Sequence, residues 1–117
     1  MTLENLKTFC MSHAGATEEI LWDNDLVFKV AGKMFCCSGI ETGSRFSFKT
    51  TKERFFEMTE LPGILPAPYL ARANWIQIDP AVCPLSDAQI EGLIRASYTL
   101  VVSKLPKKTQ KALREEK

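Results

Sequence analysis

Leu26-Val27-Phe28-Lys29-Val30-Ala31-Gly32-Lys33-Met34-Phe35-Cys36-Cys37 is the stretch that decides the fold. Leu26, Phe28 and Val30 alternate with Val27 and Lys29. A period of two puts one side of a strand in a core and sends the other side outward. Ala31-Gly32 then offers a tight turn before a second run, Lys33–Cys37. So short a separator favours an antiparallel hairpin. Upstream, Thr17–Trp22 reads as another strand, separated by Asp23-Asn24-Asp25. Downstream, Ser44–Lys49 follows the turn-rich residues 38–43, with Phe46 and Phe48 alternating against Arg45, Ser47 and Lys49. Asn74–Ile78 reads as a fifth strand, ended by Asp79-Pro80.

Helices flank these strands. Thr2 can cap a helix running to about Ser12, with Leu3, Leu6, Phe9 and Cys10 on one face and Gly15 beyond its end. Thr50 to Glu53 matches a capping box and predicts a helix to about Thr59. Leu61–Pro68 holds three prolines and one glycine, which predicts an ordered loop or a single helical turn. Ser86 to Gln89 is a second capping box. Behind it Ile90, Leu93, Ile94, Ser97, Tyr98, Val101, Val102 and Leu105 keep the helical period over about four turns. Pro106 interrupts that helix. The expected architecture is α+β: an antiparallel sheet of about five strands with helices packed on one face. Residues 1–105 form one domain, and 106–117 form a basic tail with helical potential.

The 117 residues are 45% hydrophobic and 25% charged, an ordinary globular composition that argues against disorder. The formal net charge is +1, so no global field announces nucleic acid or membrane. Its distribution is uneven. Residues 1–103 carry nine Lys/Arg against twelve Asp/Glu, and residues 104–117 carry six against two. A mildly acidic body therefore precedes a basic segment, and such a body argues against strong electrostatic affinity for DNA. Thr2–Met11 has no continuous apolar core of a leader, and no run reaches a membrane span. The expectation is a cytoplasmic monomer with reduced thiols at Cys10, Cys36, Cys37 and Cys83.

Motifs for chemistry are missing. His13 is the single histidine and has no neighbouring carboxylate to orient it as a base for a cysteine. Cys36 and Cys37 are adjacent, so on a strand they point to opposite faces and do not share a metal ion. No phosphate-loop or dinucleotide glycine pattern occurs. Glu18-Glu19, Asp23 with Asp25, and Glu115-Glu116 read as solvated charge. Tyr98 reads as a core ring with a bonded hydroxyl. The chain is expected to be no enzyme and to hold no cofactor or metal.

The positive signal lies on the outward face of the sheet. With the phenylalanines turned in, Val27, Lys29, Arg45, Ser47, Lys49, Trp75 and Gln77 turn out. Cations neutralise phosphates and an aromatic ring stacks a base or fills a groove. The same lysines and arginine would also suppress edge aggregation, and Trp75 has the alternative of packing under the Pro66–Leu70 loop. Lys107, Lys108 and the other basic residues of the C-terminal segment either extend a nucleic-acid surface or simply solubilise a terminus.

Pieces in order along nearly the whole chain carry a family likeness. They are Cys10-Met11 with Gly15-Ala16, Phe28-Lys29-Val30, Gly32-Lys33-Met34-Phe35, Ser47-Phe48-Lys49-Thr50, Pro66-Ala67-Pro68-Tyr69-Leu70, Trp75, Ser86-Asp87-Ala88-Gln89-Ile90, Ala96-Ser97-Tyr98 and Leu105-Pro106. On these the chain resembles the MmcQ/YjbR family of small bacterial proteins. The resemblance implies an α+β fold likened to the double-wing DNA-binding module of a phage transcription factor, and no catalytic motif. Lys29, Lys33, Lys49, Trp75 and Tyr98 stand at matching positions that can reach a ligand. Double-stranded DNA held by Lys29, Lys33, Arg45, Lys49, Trp75, Lys107 and Lys108 is the first expectation. A protein-docking patch made by the Pro66–Leu70 loop and Trp75 is the alternative.

Overall fold

The computed structural model describes residues 1–21 and 24–115; Trp22, Asp23, Glu116 and Lys117, which the sequence reading placed in a strand end, a turn and the tail, lie outside them. The chain runs α1 (Leu3–Met11), β1 (Ala16–Leu21), β2 (Asp25–Val30), β3 (Lys33–Gly39), β4 (Phe46–Lys49), α2 (Lys52–Met58), β5 (Ile64–Pro66), a 3-10 turn (Ala71–Ala73), β6 (Trp75–Ile78), α3 (Asp87–Ser103) and α4 (Lys107–Glu115). The strands form one antiparallel sheet in the order β1-β2-β3-β4-β6-β5. No helix among the described residues is long and apolar enough to cross a membrane.

The sheet has six strands, one more than the periodicity showed. The extra strand, β5, lies inside the proline-rich segment and pairs with β6 through Ile64↔Ile78 and Pro66↔Ile76. It is an edge strand of three residues, where proline's missing N–H is tolerated. A second correction concerns α2. Its cap is Thr51, whose hydroxyl accepts from the Arg54 N–H at 3.2 Å. Thr50 is buried, and its hydroxyl instead donates to the Asn74 carbonyl at 2.7 Å. That bond ties the end of β4 to the start of β6 and takes Thr50 away from capping. The Ser86–Gln89 box forms as expected, with both reciprocal hydrogen bonds present.

The inward face of the sheet carries Leu26, Phe28, Val30, Phe46, Phe48, Ile76 and Ile78, all buried. Against it pack Leu6 and Cys10 of α1, Met58 of α2, and Ile90, Leu93, Ile94 and Val101 of α3. α3 is also hydrogen-bonded to the sheet. β3 has a register shift opposite Phe28/Lys29, and β3–β4 pairing runs only from Ser38↔Phe46 to Cys36↔Phe48. Beyond that last pair the Ser97 hydroxyl accepts from the Lys49 N–H at 3.0 Å and donates to the Phe35 carbonyl at 2.7 Å. Pro106 ends the long helix, and the basic segment after it is helical through Glu115. Leu113 joins the core at 8% exposure, so α4 packs onto the domain.

The other face of the sheet is not open. Val27 and Trp75 are buried there, and the chain after β5 turns back beside Trp75. The Ala67 N–H donates to the Trp75 carbonyl at 3.0 Å, and the Trp75 N–H donates to the Leu70 carbonyl at 3.3 Å. These two bonds pin residues 67–70 beside the sheet.

Candidate nucleic-acid interface

The cations expected on one face fall into two groups. Lys29 pairs with Glu19 across the β1–β2 hairpin. Arg45 donates to the Gln77 amide oxygen at 3.2 Å and to an Asp79 carboxylate oxygen at 3.3 Å. Both charges are compensated locally. Lys33 and Lys49 have no carboxylate partner among the described residues. Lys33 is exposed and follows the Ala31-Gly32 turn, whose φ values of 49° and 79° are those of a tight hairpin. The Lys49 ammonium donates to the Ala73 carbonyl at 2.8 Å, which orients it without neutralising it.

Two clefts meet at Lys49. The first, about 340 Å³, is lined by Lys33, Lys49 and Lys104 around Met34 and Trp75. The second, about 440 Å³, lies between the start of α2 and α3 and is lined by Lys49, Arg54 and Arg95 with Gly92 between them. Five cations therefore line two clefts that share Lys49, and no carboxylate lines either among the described residues. Arg95 also lies 5.3 Å from the centre of the Phe9 ring, a contact that retains its charge. Lys107 and Lys108 are exposed in the first turn of α4, just past Leu105 of the first cleft. No acidic residue occupies that turn. Cations at a helix N-terminus oppose the helix dipole, so positive potential accumulates there.

The aromatic half of the expectation changes. Trp75 is on the expected side of the sheet but only 5% exposed, so it floors a cleft and offers no open ring for stacking. Tyr98 is committed as well: its hydroxyl donates to the Ala14 carbonyl and its ring contacts Phe35 and His13. Arg54 and Arg95 did not stand out in the sequence because only the tertiary contact between α2 and α3 unites them. Gly92 was the available sign, since a glycine inside a strong helix costs about 1 kcal/mol relative to alanine. A Cβ there would meet nothing within 4 Å; the position opens onto the cleft.

The side chains that could do chemistry are arranged otherwise. His13 is enclosed by the rings of Phe9, Phe35 and Tyr98, with Nδ1 against the Phe9 and Cys10 carbonyls. Burial, helped by the Asp25 carboxylate, pushes the Cys37 thiol up to about 11. Burial likewise raises Cys36, with Cys10 adding to the effect. Neither thiol is a thiolate nucleophile near neutral pH. No three His, Cys, Asp or Glu side chains come together as a metal site among the described residues.

Comparison with known proteins matches this geometry to a family. The YjbR family model matches residues 11–100. The uncharacterized protein YbdF of Escherichia coli O157:H7 is 32% identical over 90 residues, which is 75% of this chain and 73% of that protein. The crystal structure of Deinococcus radiodurans protein DR2400, which carries a DUF419 domain, superposes with a TM-score of 0.84 at 26% identity. That match covers 96% of this chain and 87% of the other. A Pseudomonas syringae protein shares the fold at a TM-score of 0.72 and 19% identity, over 86% of this chain and 98% of its own.

Proposed function

The chain belongs to the YjbR family, and from that premise we propose that it is a non-enzymatic protein that binds double-stranded DNA as a regulatory accessory. The surface is the cationic end of the domain, with Lys33, Lys49, Arg54, Arg95 and Lys104 on the phosphates and Lys107 and Lys108 extending it. The carrying observation is that five cations line two clefts that share Lys49, with no carboxylate lining either among the described residues. Phosphate contacts of this kind supply affinity and register but little sequence choice. Lys29 and Arg45 leave the contact set because Glu19 and Asp79 already hold them.

The test is fluorescence anisotropy of a labelled duplex of about 20 base pairs, titrated across salt. Five phosphate contacts give a log–log slope of about −4 to −5. Lys33→Gln with Lys104→Gln should make the slope shallower by about two, whereas Lys29→Gln with Arg45→Gln should leave it nearly unchanged. Equal slopes for the two double variants would remove this surface from the reading. One observation favours protein docking as a second reading: Tyr69 projects fully exposed from the Pro66–Leu70 loop at φ 66°. Trp75 is buried and does not join it. Under that reading the cation variants change nothing and Tyr69→Ala abolishes partner capture.

A further inference from the structure

The outward face holds a third concavity, about 560 Å³, beside the cationic clefts and separate from their charges. Small organic ligands occupy pockets of roughly this size, about 300–1,000 Å³. Its origin is legible in the register. Cys37 pairs with Ser47, and Ser47 pairs with Gln77, so two small side chains lie side by side in the middle of the sheet with Gln77 beyond them. Gly39, the partner of Asp25, continues the floor. Met34 forms one wall and Ala67–Leu70 another. The 67–70 wall is held by the two backbone bonds to Trp75 and by the Leu70 N–H on the Ala67 carbonyl, so the cavity is preformed.

Few of its polar groups are unspent. Ser47 lines the cavity at 6% exposure, and its hydroxyl bonds no described residue and stays open to solvent in the cavity. A bound polar group that meets it takes the place of water as its partner. Asp25 lines the cavity at one side and forms no ion pair with any described residue. Arg45 lines the other side, but Asp79 and Gln77 already occupy it. Among the described residues the uncompensated charge of the cavity is therefore one negative charge, at Asp25.

We propose that this cavity binds a small amphipathic amine. Its ammonium lies against the Asp25 carboxylate, a neutral polar group meets the Ser47 hydroxyl, and its apolar body packs on Met34, Pro68 and Leu70. Specificity follows from charge: an amine gains a charge-assisted bond, whereas a carboxylate must displace Asp79 from Arg45. The site stands independently of DNA binding, because none of its charged residues belongs to the cationic clefts.

Three probes share a ring and differ at one end: phenethylamine, phenylethanol and phenylpropanoate. Each is titrated into the full chain and followed by amide nitrogen–proton correlation spectra. Phenethylamine should bind about tenfold more tightly than phenylethanol, and phenylpropanoate should bind weakest. The shifted amides should cluster at Gly39, Ser47 and Leu70. Asp25→Asn should bring phenethylamine to the level of phenylethanol. Ser47→Leu fills the floor and should exclude all three. If Ser47→Leu does not fold, Asp25→Asn alone decides the matter. Equal binding of amine and carboxylate, shifts centred elsewhere, or no binding by any probe would overturn the assignment.

Discussion

Replacing Ser97 by alanine tests the bond that joins the long helix to the sheet. Ser97 is fully buried, and its hydroxyl bridges the Lys49 N–H at 3.0 Å and the Phe35 carbonyl at 2.7 Å. Alanine keeps the Cβ, so packing barely changes, but two main-chain groups lose their partner away from water. Each such orphan costs about 1–3 kcal/mol, the N–H more than the carbonyl with its second lone pair. The expected loss is about 3 kcal/mol, a large share of the roughly 5–15 kcal/mol that holds a domain together. For a chain of this size that lowers the melting temperature by about 10 °C. Urea unfolding followed by far-ultraviolet circular dichroism should show a lower midpoint with an unchanged slope. Ser103→Ala is the control. Its exposed hydroxyl bonds the Leu100 carbonyl within the last turn, and its loss should stay within about 0.5 kcal/mol. A Ser97→Ala loss as small as the control's would refute the idea that this hydroxyl completes the β3–β4 seam.

Three further outcomes follow from single positions. Gly92→Ala should stabilise the protein by about 0.5–1 kcal/mol in the same urea assay, because the helix gains propensity and the new methyl meets nothing within 4 Å; a loss would mean the cleft is closed in solution. Leu113→Ala should cost about 2 kcal/mol, since Leu113 is in the core, and an unchanged midpoint would make α4 an appendage. Cys37 should alkylate slowly with iodoacetamide at neutral pH, accelerate as the pH climbs toward about 11, and react faster in Asp25→Asn, all read by peptide mass spectrometry. Its value lies above the ordinary 9.0, so its contribution to stability is complete below pH 9 and is lost as pH rises through about 11.

The inward face was legible because it is local. Leu26, Phe28, Val30, Phe46, Phe48, Ile76 and Ile78 announce themselves by a period of two, and all seven are buried. The family was legible too, from ordered short pieces that the family match over residues 11–100 supports. The outward face was less readable, since alternation says which way a side chain points and not what lies over it. Trp75 and Val27 point outward and are still buried, Trp75 beside the chain that returns after β5. β5 itself is three residues with a proline, too short for any period to register. Pairing between distant strands set the fate of Arg45, whose partner Asp79 lies at the end of β6.

Charge is where composition says least about the surface, and the reason is geometric. A net charge of +1, with an acidic body, argues against phosphate binding only if the charges mix. In the fold they do not mix. Lys7, Lys29 and Arg45 are matched to Glu18, Glu19 and Asp79 outside the clefts, which leaves the cations of the clefts unmatched by these carboxylates. What remains around Lys49 is a group of one sign. At physiological salt exposed charges influence one another over about 8 Å, and the molecule is 40 Å along its longest axis. A phosphate arriving at Lys33, Lys49 and Lys104 therefore meets the local field first. The salt slope counts local contacts, which is why it discriminates between surfaces when net charge does not.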